Sequence, residues 1–176
     1  SVTTDNIKGG RIAAAHLVDI GCRRIAMLAG WEAASTNRDR EFGFIAELSQ
    51  RKYSLYARDV GHFDLEKAAE ATRRLFSVPD HARPDGLFVM NDYMAFRSLG
   101  VLRAELGLNV PEDVRVIGFD DVPGAAAPEY DLTSVRQPLN QMVAHAIRIL
   151  LAQIDGAAPE RIALAPELKL RGSTCL

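Results

Sequence analysis

The sequence predicts an α/β fold, a doubly wound parallel sheet with helices on both faces. Four short apolar segments alternate with helical patterns of ~10–15 residues, which is typical of repeated βα units. The chain has 176 residues, 48% of them apolar, enough to fill the core of one ordinary domain. The four strands are predicted at Arg24–Ala29, Leu55–Val60, Leu87–Met90 and Val114–Phe119.

The first helix is predicted at Asn6–Ile20. Apolar residues recur there at helical spacing, Thr4 or Asp5 can serve as the N-cap, and Gly21 ends the pattern. After the first strand, the long polar stretch Glu32–Glu41 leads into a second helical pattern. A strand, a loop and a helix therefore follow one another.

Two further helices connect the remaining strands. Asp64 is the predicted N-cap of a helix over Leu65–Phe76. Asn91 and Asp92 begin another helix that extends to about Leu106. Helical connections of this length are what parallel strands require.

The alternation of strands and helices ends after the fourth predicted strand. Asp120–Leu132 is a long loop rich in alanine and proline, followed by a short extended segment at Thr133–Gln137. Pro138–Ile154 is predicted as a helix with proline in its first turn. A last strand is predicted at Ile162–Leu170, with Pro166 at a bulge or an edge.

Composition argues against several classes of function. The net charge is −2 and the basic residues are scattered, so this chain alone predicts no nucleic-acid footprint. Cys22 and Cys175 lie far apart and without ligand spacing, so we expect no metal, no disulfide framework and a reducing, cytoplasmic setting. No apolar run approaches the ~20 residues that span a bilayer. Catalytic and nucleotide-binding glycine motifs are missing, so we expect neither an enzyme nor a cofactor.

Polar and aromatic residues follow the ends of all four strands. Because the carboxyl ends of parallel strands meet at one edge of the sheet, we expect these residues to converge there. Together they offer a hydroxyl, a guanidinium, an aromatic ring, an amide and a carboxylate, which suit a polyhydroxylated ring. The candidates are Thr36, Arg40, Phe63, Asn91 and Asp120.

Each candidate also has a purely structural interpretation. Asp120 or the adjacent Asp121 can cap the following turn, and Asn91 can cap a helix. Arg40 lies within a cluster of charges that can pair locally, and Phe63 can belong to the core. The four histidines share no motif, which favours surface or core roles over metal binding.

Several motifs, in this order and spacing, resemble those of the lac-repressor (LacI/GalR) family of bacterial transcription regulators. They are VTTDNIKGGRIAAAHLVDIGCRRIAMLAG, NRDREFGF, RPDGLFVMNDYMAFRSLGVLRAELGLNVPEDVRVIGFDD and YDLTSVRQPLNQMVAHAIRILLAQIDG. In that family, a DNA-binding helix-turn-helix domain precedes a two-lobed effector domain similar to periplasmic sugar-binding proteins. The resemblance implies that residues 1–132 are the C-terminal effector lobe. It also implies that 133–161 are a crossover and a helix of the N-terminal lobe, and that 162–176 are a return strand.

The resemblance places the effector contacts on the same strand-end residues: Arg40, Asp120, Phe63, Asn91 and Thr36, with Asp5 as a further possible contact. It places the dimer contacts on Tyr93, Met94, Arg97 and the loop Ala125–Tyr130; for Met94, ordinary core packing is an equally good interpretation.

The implied function is effector sensing and dimerisation in a cytoplasmic LacI-type repressor. Its effector would be a small molecule such as a sugar, and operator DNA would be bound as a homodimer through a domain outside this chain. The alternative is a periplasmic sugar-binding protein of a transport system. Without the second lobe, we expect weak sugar binding at most. We also expect an apolar stripe on the helix Pro138–Ile154 to cause self-association, with residues Leu139, Met142, Ala146, Ile149 and Leu150.

Overall fold

Over residues 1–175, which the computed structural model describes, the chain forms eight strands and five α-helices. The strands are β1 (Val2–Thr4), β2 (Ile25–Ala29), β3 (Ala57–Val60), β4 (Gly86–Val89), β5 (Arg115–Asp120), β6 (Thr133–Arg136), β7 (Ile162–Leu164) and β8 (Glu167–Lys169). The helices are α1 (Asn6–Asp19), α2 (Ser35–Gln50), α3 (Leu65–Phe76), α4 (Asp92–Gly100) and α5 (Leu139–Ile154).

Six strands form the main sheet in the order β3-β2-β4-β5-β6-β8. All neighbours are parallel except β8, which runs antiparallel to β6. Helix α1 packs against α2, and α3 packs against α4. Because crossovers between parallel strands are right-handed as a rule and the connections run in opposite directions before and after β3, the two helix pairs cover opposite faces of the sheet. This arrangement confirms the predicted fold class.

The core lies on both faces of the central strands. Every residue of β2 and β4 is buried, which explains why these segments are continuously apolar instead of alternating. Phe44 of α2 stacks on Phe88 of β4, with ring centroids 4.8 Å apart. The sheet therefore holds α2 in a fixed position above β4.

Helices α1 and α2 touch backbone to backbone. A Cβ atom added to Gly10 would lie 2.0 Å from the carbonyl oxygen of Arg40, and one added to Gly43 would lie 1.9 Å from that of Ile7. Only glycine permits so close a crossing. The crossing brings Arg40 against the first turn of α1.

Three predicted N-caps are confirmed by their hydrogen bonds. Asp5, Asp64 and Asn91 each accept a backbone N–H at 2.9 Å, three residues further along the chain. The helix predicted to continue to about Leu106 instead ends as α4 at Gly100, and a π-helical segment over Val101–Glu105 follows it.

A second, two-stranded sheet consists of β1 paired in parallel with β7. Helix α5 packs on β1, where the Thr4 hydroxyl lies 3.4 Å from Sδ of Met142. The sequence did not predict β1. The single strand predicted at Ile162–Leu170 is also wrong, because β7 and β8 pair in different sheets on either side of Pro166.

Helix α5 is apolar on its outer side, but this side is rotated relative to the prediction. Ile149 is only 6% exposed, and Met142 is partly buried against β1, so both face inward. Of the predicted stripe, Leu139, Ala146 and Leu150 are exposed. The large exposed apolar residues of the helix are Leu139, Val143, Ile147, Leu150, Leu151 and Ile154. Within residues 1–175, no helix is both long and apolar enough to cross a membrane.

We expect Gly43→Ala to destabilise the chain by about 1–3 kcal/mol, because its Cβ would force α1 and α2 apart. Gly100→Ala is the matched control, since its Cβ would have no heavy atom closer than 3.8 Å. Urea denaturation followed by circular dichroism measures both variants. Equal stability of Gly43→Ala and the wild type would contradict the close crossing.

We expect the 176-residue chain to self-associate through the exposed side of α5, because contiguous apolar surface favours association. Ile147→Glu should lower the apparent mass measured by light scattering at high concentration. Gln141→Glu, on an exposed polar position of the same helix, should leave it unchanged. A wild-type chain that stays monomeric throughout would show that this face does not drive association.

Candidate functional site

A buried guanidinium joins three elements at the carboxyl edge of the sheet. Arg40 of α2 is 6% exposed; its Nε donates to Oδ1 of Asn6 at 2.9 Å, and its Nη1 donates to the carbonyl of Met90 at 2.6 Å. The guanidinium also stacks on the Phe119 ring, 3.6 Å from its centroid. Burial lowers the pKa of Arg40 to about 10, partly offset by Asp120 and Asp92, so it stays charged at neutral pH.

Asp120 ends β5 beside this guanidinium. Its Oδ1 lies 3.6 Å from Nη2 of Arg40 and accepts a hydrogen bond of 2.7 Å from Nε2 of Gln137. Burial raises the pKa of Asp120 above its ordinary value, although Arg40 and Gln137 act in the opposite direction. The side chain is 26% exposed, so it still reaches the rim.

The backbone is strained at this position. Asp120 has φ of +111° and Asp121 has φ of +54°, both outside the regions that residues with side chains prefer. Such conformations cost about 1–3 kcal/mol each and persist only where the surroundings enforce them. The surroundings of the segment Asp120–Val122, hereafter the Asp120–Val122 turn, therefore hold its backbone in this conformation.

Asp121 has a buried side chain that is paired with cations. Its side chain is 2% exposed and pairs with Nε of Arg136 at 2.5 Å. Its other carboxylate oxygen lies 2.7 Å from Nη2 of Arg171, without hydrogen-bond alignment. Asp121 thus ties the turn to β6 and to the C-terminal segment, and its side chain does not cap the Pro123–Ala126 turn that follows.

Two site residues were missed by the sequence analysis. Asn6 directly follows the N-cap Asp5 and accepts from Arg40, while Gln137 donates to Asp120 and accepts from the Thr4 hydroxyl at 2.7 Å. Their only local signal was an amide next to a predicted element boundary. Nothing in the spacing shows that they meet residues 34 and 17 positions away.

The other predicted contacts have different surroundings. Phe63 is 37% exposed and lies over Gly30 at the end of β2. Thr36 is exposed one turn before Arg40 on α2, on the same side of the helix. Asn91 and Asp5 use a side-chain oxygen to cap α4 and α1, respectively. The structure therefore brings Arg40 and Asp120 together, with Phe63, Thr36 and Asn91 around the same edge.

The residues predicted for dimer contacts do not share one environment. Tyr93 is 58% exposed, and Tyr130 stacks on Phe96 with centroids 4.0 Å apart. Arg97 lies within 3.7 Å of both Glu66 and Glu105. Met94 is fully buried on the core side of α4, which favours the alternative interpretation, ordinary core packing, over a contact with a partner.

A cavity of about 640 Å³ opens beside Asp120. It lies between the Asp120–Val122 turn and the start of α5, and its lining includes Asp120, Gln137, Leu139 and Glu167. Among residues 1–175, no cluster of three potential ligands is arranged to hold a metal ion. Carboxylate and amide groups beside an aromatic ring can bind hydroxyl groups and an apolar ring face.

Comparison with known proteins identifies this architecture. The family model described as "periplasmic binding protein-like domain" matches residues 14–174. The chain is 36% identical over 172 residues to the HTH-type transcriptional regulator CelR of Thermobifida fusca, an alignment that covers 96% of this chain and 49% of that protein.

Solved structures give the same result. A LacI transcriptional regulator from a Rhodococcus species superimposes with a TM-score of 0.90 at 31% identity, covering 97% of this chain and 63% of that one. A CelR–cellobiose complex superimposes with a TM-score of 0.88 at 36% identity, covering 98% of this chain and 53% of that one.

The matched curated relatives are transcription regulators, and this chain spans about half of their length. The family match extends from within α1 to beyond β8 and includes α5, so the likeness is not confined to the strand-end motifs. The chain belongs to the LacI family of transcription regulators, and it carries part of that family's periplasmic-binding-protein-like effector domain.

Proposed function

We propose that this chain is the effector-sensing part of a LacI-type repressor and that its effector is a neutral sugar. The observation that carries the proposal is the Asp120 carboxylate, held on a strained backbone at the sheet edge and only partly neutralised by Arg40. A carboxylate in this position accepts hydrogen bonds from two neighbouring hydroxyl groups of a sugar ring. Phe63, partly exposed at the same edge, offers a face for the ring.

The contacts of Arg40 favour a neutral ligand over a phosphorylated one. Its Nε and Nη1 already donate to protein oxygens, its Nη2 faces Asp120, and its flat side is covered by Phe119. The planar fork that binds a phosphate is therefore occupied. Asp120 itself would repel an anion.

The arrangement of the two sheets supports a response to the ligand. The cavity beside Asp120 is bordered by the start of α5, which packs on the small β1–β7 sheet. A ligand that bridges the main sheet and the β1–β7 sheet with its helix α5 would favour the closed arrangement of these two units and shift a two-state equilibrium. We propose that this shift reaches operator DNA through a segment outside the sequence, in a cytoplasmic homodimer that includes Tyr93, Arg97 and Tyr130 in its interface.

We expect Asp120→Asn to weaken sugar binding by the loss of a charged acceptor, about 1.5–3 kcal/mol or roughly 10- to 150-fold. Asparagine tolerates positive φ, so the variant keeps the turn. The loss of affinity is measured by thermal shift of the full-length gene product. The ligands are cellobiose and other neutral sugars, and glucose 6-phosphate is the anionic comparison.

The matched control for this experiment is Asp39→Asn, an exposed carboxylate on α2 next to Arg40 in sequence. This variant should keep the full thermal shift of the wild type. At 100 times its Kd, the ligand raises the free energy of unfolding by about 2.7 kcal/mol. A sugar-induced shift that survives Asp120→Asn would remove Asp120 from the site. A thermal shift with glucose 6-phosphate but with none of the neutral sugars would refute the proposal that the effector is a neutral sugar.

We expect the coding sequence upstream of Ser1 to encode a helix-turn-helix segment, and the full-length protein to retard operator DNA in a gel. The periplasmic alternative predicts a secretory signal peptide there instead. Reading the gene distinguishes the two, and a signal peptide would exclude the repressor.

A further inference from the structure

Asp92, the first residue of α4, is a fully buried carboxylate for which the described residues provide no basic partner within 4.0 Å. Its Oδ1 accepts a hydrogen bond of 2.6 Å from the Ser134 hydroxyl, and its Oδ2 accepts one of 2.9 Å from the backbone N–H of Val122. Buried carboxylates are normally paired with a cation, so this one calls for a specific explanation.

Both hydrogen bonds lead to the strained turn that carries Asp120. The Ser134 hydroxyl that donates to Asp92 also accepts the N–H of Asp121 at 3.0 Å. Asp92 therefore holds two successive N–H groups of the turn, one directly and one through Ser134. A Cβ atom on Gly118 would lie 2.2 Å from Oδ1 of Asp92, so the strand leaves room for this carboxylate only by having glycine there.

We propose that Asp92 is a positioning residue whose carboxyl group, by gaining or losing its proton, sets how firmly the Asp120–Val122 turn is held and makes effector affinity depend on pH. The affinity part rests on the proposed function, because it needs a ligand on Asp120. The support of the turn is independent of that ligand.

The hydrogen-bond pattern distinguishes the two protonation states. As a carboxylate, Asp92 accepts from both donors, and 2.6 Å is typical of a hydroxyl bound to an ionised oxygen. When it is protonated, its O–H has to face Ser134, whose own hydroxyl proton then loses its acceptor. The ionised form therefore holds the turn more firmly.

The charges around Asp92 place this change near neutral pH. Burial raises the pKa of Asp92 to about 7, and the nearby carboxylates Asp120 and Asp121 add to the increase, whereas the hydrogen bonds from Ser134 and Val122 lower it. Arg40 is the facing cation. The negative charge of Asp121 is largely compensated by its ion pairs with Arg136 of β6 and Arg171 of the C-terminal segment.

We expect effector affinity to fall as the pH drops from 8 to 6, by up to tenfold per pH unit for one proton. Asp92→Asn has the shape of the protonated form, because its amide N–H faces Ser134. It should bind the same sugar weakly at every pH in this range. Asp39→Asn, which changes an exposed carboxylate, should keep the wild-type profile.

A second readout needs no ligand. In NMR spectra of the chain, the backbone amides of Asp121 and Val122 should titrate together with a midpoint near pH 7, and this titration should disappear in Asp92→Asn. Ser134→Ala removes a hydrogen bond that lowers the pKa of Asp92, so it should move the midpoint to higher pH. That shift keeps the proposal testable even if Asp92→Asn does not fold.

The outcomes separate the two proposals. If the amides of Asp121 and Val122 do not titrate between pH 6 and 8, or titrate unchanged in Asp92→Asn, the role of Asp92 is refuted whatever the sugar does. If they titrate while affinity stays flat with pH, the coupling is refuted. If no sugar binds the full-length protein at any pH, the proposed function fails, and the amide titration alone decides whether Asp92 controls the turn.

Discussion

The buried guanidinium of Arg40 is the contact on which the carboxyl edge of this protein depends. It joins the first turn of α1, the end of β4 and the end of β5 through Asn6, Met90 and Asp120, and it is covered by Phe119. A buried charge is stable only when it is compensated, so each of these groups has to stay in place. The close crossing of α1 and α2 serves the same arrangement, because a wider crossing would withdraw Asn6 from Arg40.

A second feature of this edge is that its polar groups have separate tasks. Of the three neighbouring carboxylates, Asp121 is paired with two arginines, and Asp92 accepts a hydrogen bond from a backbone N–H. Only the Asp120 side chain remains partly exposed at the sheet edge. The two buried carboxylates stabilise a backbone that would otherwise relax and turn Asp120 aside. The site is therefore preorganised at the expense of local strain.

Local signals predicted most of the fold. Apolar runs predicted β2, β4 and β5 to within two residues, and the N-caps Asp5, Asp64 and Asn91 fixed the starts of three helices. Strand β1 could not be predicted, because three residues that pair with a strand 160 positions away carry no periodic pattern. Asn6 was missed because it lies on a helix, where the strand-end rule does not apply. Gln137 does follow a strand directly, but the rule was applied to only four strands, and β6 was predicted as a separate extended segment. The resemblance placed Met94 among the dimer contacts, but the position of a motif alone does not show which side of α4 faces the core, where Met94 lies.

Within residues 1–175, the chain passes between the two sheets three times, near Thr4, Gln137 and Ala165. Two of these passages are cross-linked, because the Thr4 hydroxyl donates to Gln137, which in turn donates to Asp120. Side-by-side tethers resist twisting of one unit against the other but allow bending about the line that joins them. The β1–β7 sheet with α5 is thus connected to the main sheet through a hinge, and Gln137 belongs to this hinge while it also contacts Asp120. A molecule bound to Asp120 would therefore act directly on the hinge, without an intermediate element.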